Sequence, residues 1–452
     1  MKAYPQYKDS DVVWLGKVPE GWNIKPGLSV FKEKKVKNIG LTEKRVLSLS
    51  YGKIIIKPEE KLRGLVPESF ETYQIVDPGD IIIRSTDMQN DHTSLRTGLV
   101  SDRGIITSAY LCLNSIKSVD LNYIHWLLHG LDLKKVFYGL GSGLRQNLSW
   151  KDFKRMPLLI PPEDEQLQIA RYLDWQTSKI NKFIKAKKKL IELLIEEKQC
   201  IINEAVTKGL DPDVKMKDSE VEWLGEIPEH WELKRNKVFF SERKEIVGNR
   251  DKEYKLLSLT IRGIIYRDLE NFKGKFPSDF STYQVVYPND FVFCFFDVDE
   301  TPRTVGLSSI YGMITGAYTV LKTKNISRSY LYYYYLSMDN KKGFKPIYRG
   351  LRKTIPFDSF MNSKLPVPPG YEQLQIVNYL KNEFAILDKT INKAEKEIEL
   401  IQEYCTRLIS DVVTGKIDVR NIEIPNFKFT EAEMEVLDDK NIEDEFIAED
   451  VE

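Results

Sequence analysis

Four stretches of this 452-residue chain carry side chains suited to hydrogen bonding with the edges of nucleic-acid bases. RSTDMQNDHTSLRTG, residues 84–98, offers Arg84, Ser85, Asn90 and Arg96 directly after an apolar run. Its counterpart FFDVDETPRTVG, residues 295–306, offers Arg303. GLRQNLSW, residues 143–150, holds Arg145, Gln146 and Asn147, and its counterpart GLRKTIPF, residues 350–357, holds Arg352 and Lys353. Arg262, Arg267 and Arg349 are further candidates. Arg and Lys serve phosphates. Arg, Lys, Asn, Gln and Ser serve base edges. The acids nearby, Asp87, Asp91, Asp297, Asp299 and Glu300, would repel phosphate but could accept from cytosine N4. The competing role for the matched Gly-Leu-Arg is a buried hydrogen bond that holds the fold.

Signatures of other chemistries are missing. GLGSGLR, residues 139–145, is glycine-rich but lacks the Lys-Ser/Thr of a phosphate-binding loop. No Asn-Pro-Pro or Asp-Pro-Pro-Tyr stretch of an amino-methyltransferase occurs, because both proline pairs follow aliphatic residues, Ile160 and Val367. The four cysteines form no CxxC, and His125 and His129, four apart, lie outside any HExxH and read as one face of a helix. No catalytic or metal-ligating set emerges. Glu196-Glu197-Lys198 falls within a helix, where it reads as a solvated face. The formal net charge is zero, yet residues 430–452 hold eleven acids and one base, leaving a basic body of net +10 with an acidic tail. That asymmetry suits nucleic-acid binding. MKAYPQYKDSDVV has no apolar leader core, and no stretch reaches the roughly 18 apolar residues of a membrane span, so a cytoplasmic protein without membrane contact is expected.

The elements that must position these loops come twice. KDSDVVWLGKVPEGW (8–22) and KDSEVEWLGEIPEHW (217–231) agree at ten of fifteen positions. Further matches come in the same order. Leu47-Ser48-Leu49 returns as Leu257-Ser258-Leu259, Tyr73-Gln74 as Tyr283-Gln284, Gly98-Leu99 as Gly306-Leu307, and Gln166-Leu167-Gln168-Ile169 as Gln373-Leu374-Gln375-Ile376. The chain is two copies of one unit, 1–208 and 209–416, plus a tail at 417–452. Each copy opens with a strand-rich mixed α/β globule, 1–158 and 209–365. IIIRST (81–86) and FVFCFF (291–296) read as strands after turns, and WLLHGLDLKKVF (126–137) and YLYYYYLSM (330–338) as short helices. The identical Trp14/Trp223, Leu15/Leu224, Gly16/Gly225, Pro19/Pro228 and Trp22/Trp231 are expected to dock in the same way in both copies.

Each globule is followed by a long helix, 159–208 and 366–416. Residues 163–207 lack Gly and Pro and place apolar residues at heptad spacing: Ile180, Ile184, Ile191, Leu194 and Ile201, with Lys187 and Lys198 at two seam positions. The second copy gives Leu387, Ile391, Ile398, Ile401 and Leu408 in the same register. Two such helices predict an antiparallel coiled coil joining two pseudo-symmetric globules, an α+β architecture. A twofold arrangement of this kind suits two half-sites separated by a fixed number of base pairs.

PLLIPPEDEQLQIARYL (157–173) and PVPPGYEQLQIVNYL (366–380), each leading into a long helix, together with the doubled KDSxVxWLGxxPExW, resemble the specificity subunit of Type I restriction-modification enzymes through about residue 420. The resemblance implies two target-recognition domains, each reading one half of a bipartite, asymmetric sequence in double-stranded DNA, with the coiled coil setting the spacing. It implies a non-catalytic subunit with two methyltransferase (M) subunits and restriction (R) subunits as partners. S-adenosylmethionine would come with the M subunits, ATP and magnesium with the R subunits, and no cofactor with this one. The acidic tail is not part of the pattern. The rival reading is a coiled-coil scaffold that joins two partner proteins without reading DNA.

Overall fold

The computed structural model describes residues 2–50, 52–57, 69–86, 88, 95–116, 119–140, 147–267 and 280–426. Asn90, Arg145, Gln146 and the acidic tail lie outside the described residues. The chain divides into two compact units, one within Met1–Lys187 and Lys396–Lys440, the other within Lys188–Glu395 and Asn441–Glu452. Each unit therefore takes one globule, the first or second half of each long helix, and none of the other globule.

In the first unit a four-stranded antiparallel sheet runs in the order Phe31–Glu33, Leu111–Ser115, Asp80–Ile83, Thr97–Leu99. Ile81, Ile82 and Ile83 are all buried because both faces of the sheet are covered. Ile81 and Ile83 join Phe31, Leu113 and the helix residues Tyr123, Ile124 and Leu127 in one cluster. Ile82 and Cys112 join Leu47, Val76 and Ile106 in another. That second layer is made by the hairpin Leu47–Ser50/Lys53–Ile56 and the pair Gln74–Val76/Gly104–Ile106. An unbroken apolar strand is what a sheet covered on both faces requires.

The second unit has the same order with different residues: Phe240–Glu242, Thr319–Thr323, Phe291–Phe293, Val305–Leu307. Phe291 and Phe293 face the helix side, while Val292 and Cys294 meet Leu257, Val286 and Ile314. The extended run predicted at 291–296 pairs only through Phe293, and the first sheet strand stops at Ile83.

The short helices are Leu121–Leu133 and Arg328–Asn340. The first begins five residues before the expected 126, because Asp120 caps it by accepting from the Tyr123 amide at 2.8 Å. Ser327 caps the second through Tyr330 at 3.3 Å.

The long helices span Glu163–Lys208 and Gly370–Val413. Glu163, Asp164 and Glu165 occupy the first turn of the first helix, where acids oppose the positive end of the helix dipole. Gly209 (φ +80°) and Gly415 (φ +72°) succeed the two ends in the left-handed region, as helix C-terminal turns favour.

In the first unit Ile180 and Ile184 pack with Cys405, Leu408, Ile409 and Val412, and Lys187 Nζ meets Glu397 Oε2 at 2.6 Å. Residues ascending one helix meet residues descending the other, so the halves run antiparallel. The second unit repeats this. Ile202, Ala205 and Val206 cluster with Ile376, Val377, Leu380 and Phe384, and Lys198 Nζ meets Asp388 Oδ1 at 2.6 Å. Leu387 is buried, while Ile191, Leu194, Ile391, Ile398 and Ile401 are half-buried. At the end of the first helix the buried face passes from the expected Ile201 to Ile202, because a 3.6-residue turn drifts away from a strict heptad.

Candidate nucleic-acid interface

Within each unit the fold joins the two loop segments that the sequence keeps more than fifty residues apart. In the second unit the Ile355 amide donates to the Phe295 carbonyl (2.7 Å) and the Asp297 amide to the Arg352 carbonyl (2.9 Å). In the first unit the Leu148 amide donates to the Ser85 carbonyl at 2.8 Å, the matching contact.

Around that junction many of the named side chains build the scaffold. Arg96 is fully buried. Its Nη1 donates to the carbonyls of Arg84 (3.1 Å) and Thr86 (2.8 Å), and its Nε donates to the Tyr138 hydroxyl (3.1 Å). The expectation that Arg96 reaches a base is therefore corrected: it shapes the loop beginning at Arg84 from within. Ser85, likewise expected at the interface, is buried with Oγ donating to the Ala109 carbonyl at 3.1 Å. Arg84 is half-buried and Asn147 is exposed.

Arg303 donates from Nη1 to Asp339 Oδ2 (3.2 Å) and to Asn340 Oδ1 (3.0 Å). It braces the loop against the helix Arg328–Asn340, and that is its role in this fold. Asp339 and its counterpart Asp132 were not singled out from the sequence. Asp339 accepts from the Thr304 amide (3.0 Å) and Asp132 from the Arg96 amide (2.6 Å), each fastening the start of a sheet strand to a helix. An acid at matching places near the end of both short helices was the available signal.

Arg352 is exposed and forms a two-point pair with Asp297, Nη2 to Oδ2 at 2.6 Å and Nε to Oδ1 at 3.3 Å. Lys353 Nζ meets Asp299 Oδ2 at 2.6 Å, which holds that carboxyl below its usual range. Of the acids expected to accept from cytosine, Asp297 and Asp299 are thus partnered by the cations of the adjoining loop, while Asp87 and Asp91 lie outside the described residues. Arg349 is exposed on the hairpin it opens, its amide and carbonyl both bonded to Thr354 at 2.9 Å. Arg262 is exposed at the tip of the hairpin Leu257–Thr260/Gly263–Tyr266, and Arg267 is half-buried just after it. The side chains still facing solvent are Asn147 in the first unit and Arg262, Arg349, Arg352 and Lys353 in the second.

The duplicated opening motif orients each globule. Tyr7–Asp9 pairs with Lys17–Pro19, and Met216–Asp218 pairs with Glu226–Pro228. Trp22 and Trp231 are both buried. A side chain added to Gly415 would lie 3.3 Å from the Trp22 ring, and one added to Gly209 would lie 3.3 Å from the Trp231 ring. Each tryptophan thus sits on the glycine turn that ends a long helix, the first on the second helix and the second on the first. The copies differ in their polar ties. Trp231 Nε1 donates to Glu372 (3.0 Å), whereas the matching Glu165 accepts from the Tyr4 hydroxyl. The C-terminal strap is secured in the first unit, where Gln168 Nε2 donates to the carbonyls of Val419 (3.0 Å) and Ile422 (2.8 Å).

His125 and His129 lie on the helix Leu121–Leu133, as their spacing predicted, with ring centroids 6.3 Å apart. Both are buried, and burial pushes their values down to about 4 and about 3. Among the described residues no helix is long and apolar enough to cross a membrane.

A paired-loop α/β unit, tied to antiparallel halves of the long helices, is built twice. Residues 19–193 match the family model of the Type I restriction modification DNA specificity domain. The chain is 25% identical over 351 residues to the Type I restriction enzyme MjaVIII specificity subunit of Methanocaldococcus jannaschii, covering 71% of this chain and 76% of that one. A solved structure described as the structural basis of complex assembly and conformational transition of the type I R-M system aligns with a TM-score of 0.62 at 13% identity, over 88% of this chain and 99% of that one. The HsdS subunit from Thermoanaerobacter tengcongensis aligns over 88% and 98% at 14% identity, with a TM-score of 0.46. The first copy is thus similar to a Type I DNA specificity domain, and the chain as a whole to a Type I specificity subunit. The family model matches only the first copy, and the identical strand order extends the architecture to the second.

Proposed function

We propose that each unit reads one half of a bipartite DNA target for a Type I restriction-modification complex, and that the chain itself catalyses nothing. The observation that carries this is the repeated loop pair. The two units share a sheet order, a joint and a backbone contact between loops (Leu148 to Ser85, Ile355 to Phe295). They differ in the two residues after Gly-Leu-Arg: Gln146-Asn147 in one, Lys353-Thr354 in the other. A constant frame with different tips suits one scaffold reading two sequences.

Two M subunits would dock on the long helices, which leave Leu190, Leu193 and Ile386 exposed in the second unit and Leu400 and Tyr404 in the first. Large apolar side chains on a polar helix face mark interaction surface. S-adenosylmethionine would then be held by the M subunits, and ATP and magnesium by R subunits. The spacing of the half-sites would track the length of the helices. The test is methylome sequencing with and without the gene, and with residues 23–158 exchanged for those of another family member. Deletion should abolish one bipartite motif and the exchange should alter one half of it. A methylome unchanged by deletion would leave the scaffold reading in place of this one.

A further inference from the structure

Leu351 is 102% exposed, the side chain standing as free as in an extended peptide. It occupies the tip of a closed hairpin. The Arg349 and Thr354 amides and carbonyls exchange two hydrogen bonds of 2.9 Å, and the Lys353 amide donates to the Gly350 carbonyl at 3.2 Å. Gly350 (φ +71°) and Lys353 (φ +42°) both lie in the left-handed region, so the turn is sharply specified. The hairpin is fixed to the neighbouring loop through its tip residues, Arg352 on Asp297 and Lys353 on Asp299, and by the backbone bonds at Asp297 and Ile355. The result is a stiff projection with a bare leucine at its end.

Leucine is not a turn former, and leaving it in water forgoes the stabilisation that burying its side chain would give. Its surroundings indicate what covers it in use. Arg349, which makes no ion pair among the described residues, flanks it on the same hairpin beside Arg352 and Lys353, each paired with one aspartate, an environment that suits a polyanion better than an apolar protein groove. The sequence adds a second argument. Gly-Leu-Arg stands at the matching place in the first copy, residues 143–145, which lie outside the described residues, while the positions after it differ. A residue common to two domains that read different sequences serves a task common to both, so it does not discriminate bases. Proteins that distort duplexes do this with leucine, phenylalanine or isoleucine pushed between base steps. Complexes that modify a base must also take it out of the stack.

We propose that Leu351 is an apolar wedge, carried on a braced hairpin, that enters the base stack of the half-site read by the second unit. The proposal rests on the DNA-reading function above. Its test uses the complex assembled with its methyltransferase subunits and a target duplex whose sequence is taken from the methylome. A fluorescent aminopurine is placed at successive positions of each half-site. Binding of the wild type should raise fluorescence several-fold at one step, away from the methylated base, of the half-site read by the second unit. Leu351→Ala should abolish that rise and weaken binding about tenfold, and Leu351→Met should retain both. Because Leu351 contacts nothing in its own unit, the thermal midpoint of the alanine variant should match the wild type. If the wild type prefers target over scrambled duplex but no position brightens, or if the alanine variant brightens equally, the wedge is wrong and the DNA-reading function stands. If the wild type shows no preference for target, both fall.

Discussion

The two buried histidines make acid stability a quantitative test of the packing in the first unit. Both imidazoles are enclosed, and His125 Nε2 and His129 Nδ1 find no hydrogen-bond partner among the described residues. Burial lowers His125 to about 4 from 6.5, against a raising hydrogen bond that its ring N–H donates to the Thr97 backbone. Burial, and then repulsion from His125, lowers His129 to about 3. A group whose folded value is depressed stabilises the fold fully above its unfolded value, and that stability is lost as pH falls from about 6.5 toward the folded values. At about pH 5 the unfolded chain has gained both protons and the folded chain neither. At about 1.4 kcal/mol per pH unit per group, each histidine then removes about 2 kcal/mol relative to about pH 8, and the pair about 4 kcal/mol.

Asp174 acts in the opposite sense. Burial pushes its carboxyl up to about 6, so its contribution is lost as pH rises through that value. A control with both histidines removed and Asp174 kept isolates the imidazoles. The second unit suggests the replacements, because Tyr332 and Leu336 stand at the matching helix positions. Urea unfolding of the wild type and of the His125→Tyr/His129→Leu variant, at both pH values, is the measurement. The wild type should lose several kcal/mol more than the variant on acidification. Equal losses would refute the claim that the imidazoles are folded neutral in a closed site.

Three other perturbations have defined outcomes. Arg96→Ala removes a charged donor from two half-buried carbonyls and a hydroxyl, and leaves a cavity at a fully buried position, so it should cost about 3 kcal/mol in urea unfolding. Arg96→Lys should not rescue it, because one ammonium cannot reproduce the guanidinium fork, and the methylated motif should keep its identity in whatever protein folds. Gly415→Ala would place a methyl 2.4 Å from Pro19 Cδ at φ +72°, whereas Gly225→Ala at φ +65° meets nothing within 4 Å. The first should destabilise by about 3 kcal/mol and the second by about 1 kcal/mol, read as melting-temperature shifts. Adding one heptad to each long helix lengthens it by about 10 Å, so the unmethylated gap in the motif should grow by about three base pairs with both half-sites unchanged. A constant gap would separate spacing from helix length.

The duplication, the two long helices and the apolar sheet strands were legible in the order of residues. Heptad and helix periodicities, and a strand with both faces buried, each impose a local pattern that survives in the linear chain. The paired prolines and glycine turns marked the helix limits for the same reason. Legibility failed at the loops. Arg96 and Arg352 are the same residue type in similar polar company, yet one is enclosed beneath Arg84 and Thr86 and the other stands in water against Asp297. That difference depends on which distant segment folds over each arginine, and neighbouring residues do not encode it. Asp132, Asp339 and Tyr138 were missed because their partners lie some forty residues away. The bare Leu351 looked like one more apolar residue. The sequence by itself determined that one unit is built twice and where its helices run. Tertiary packing alone decided which cations stay available to DNA, because burial and pairing are properties of the assembled surface.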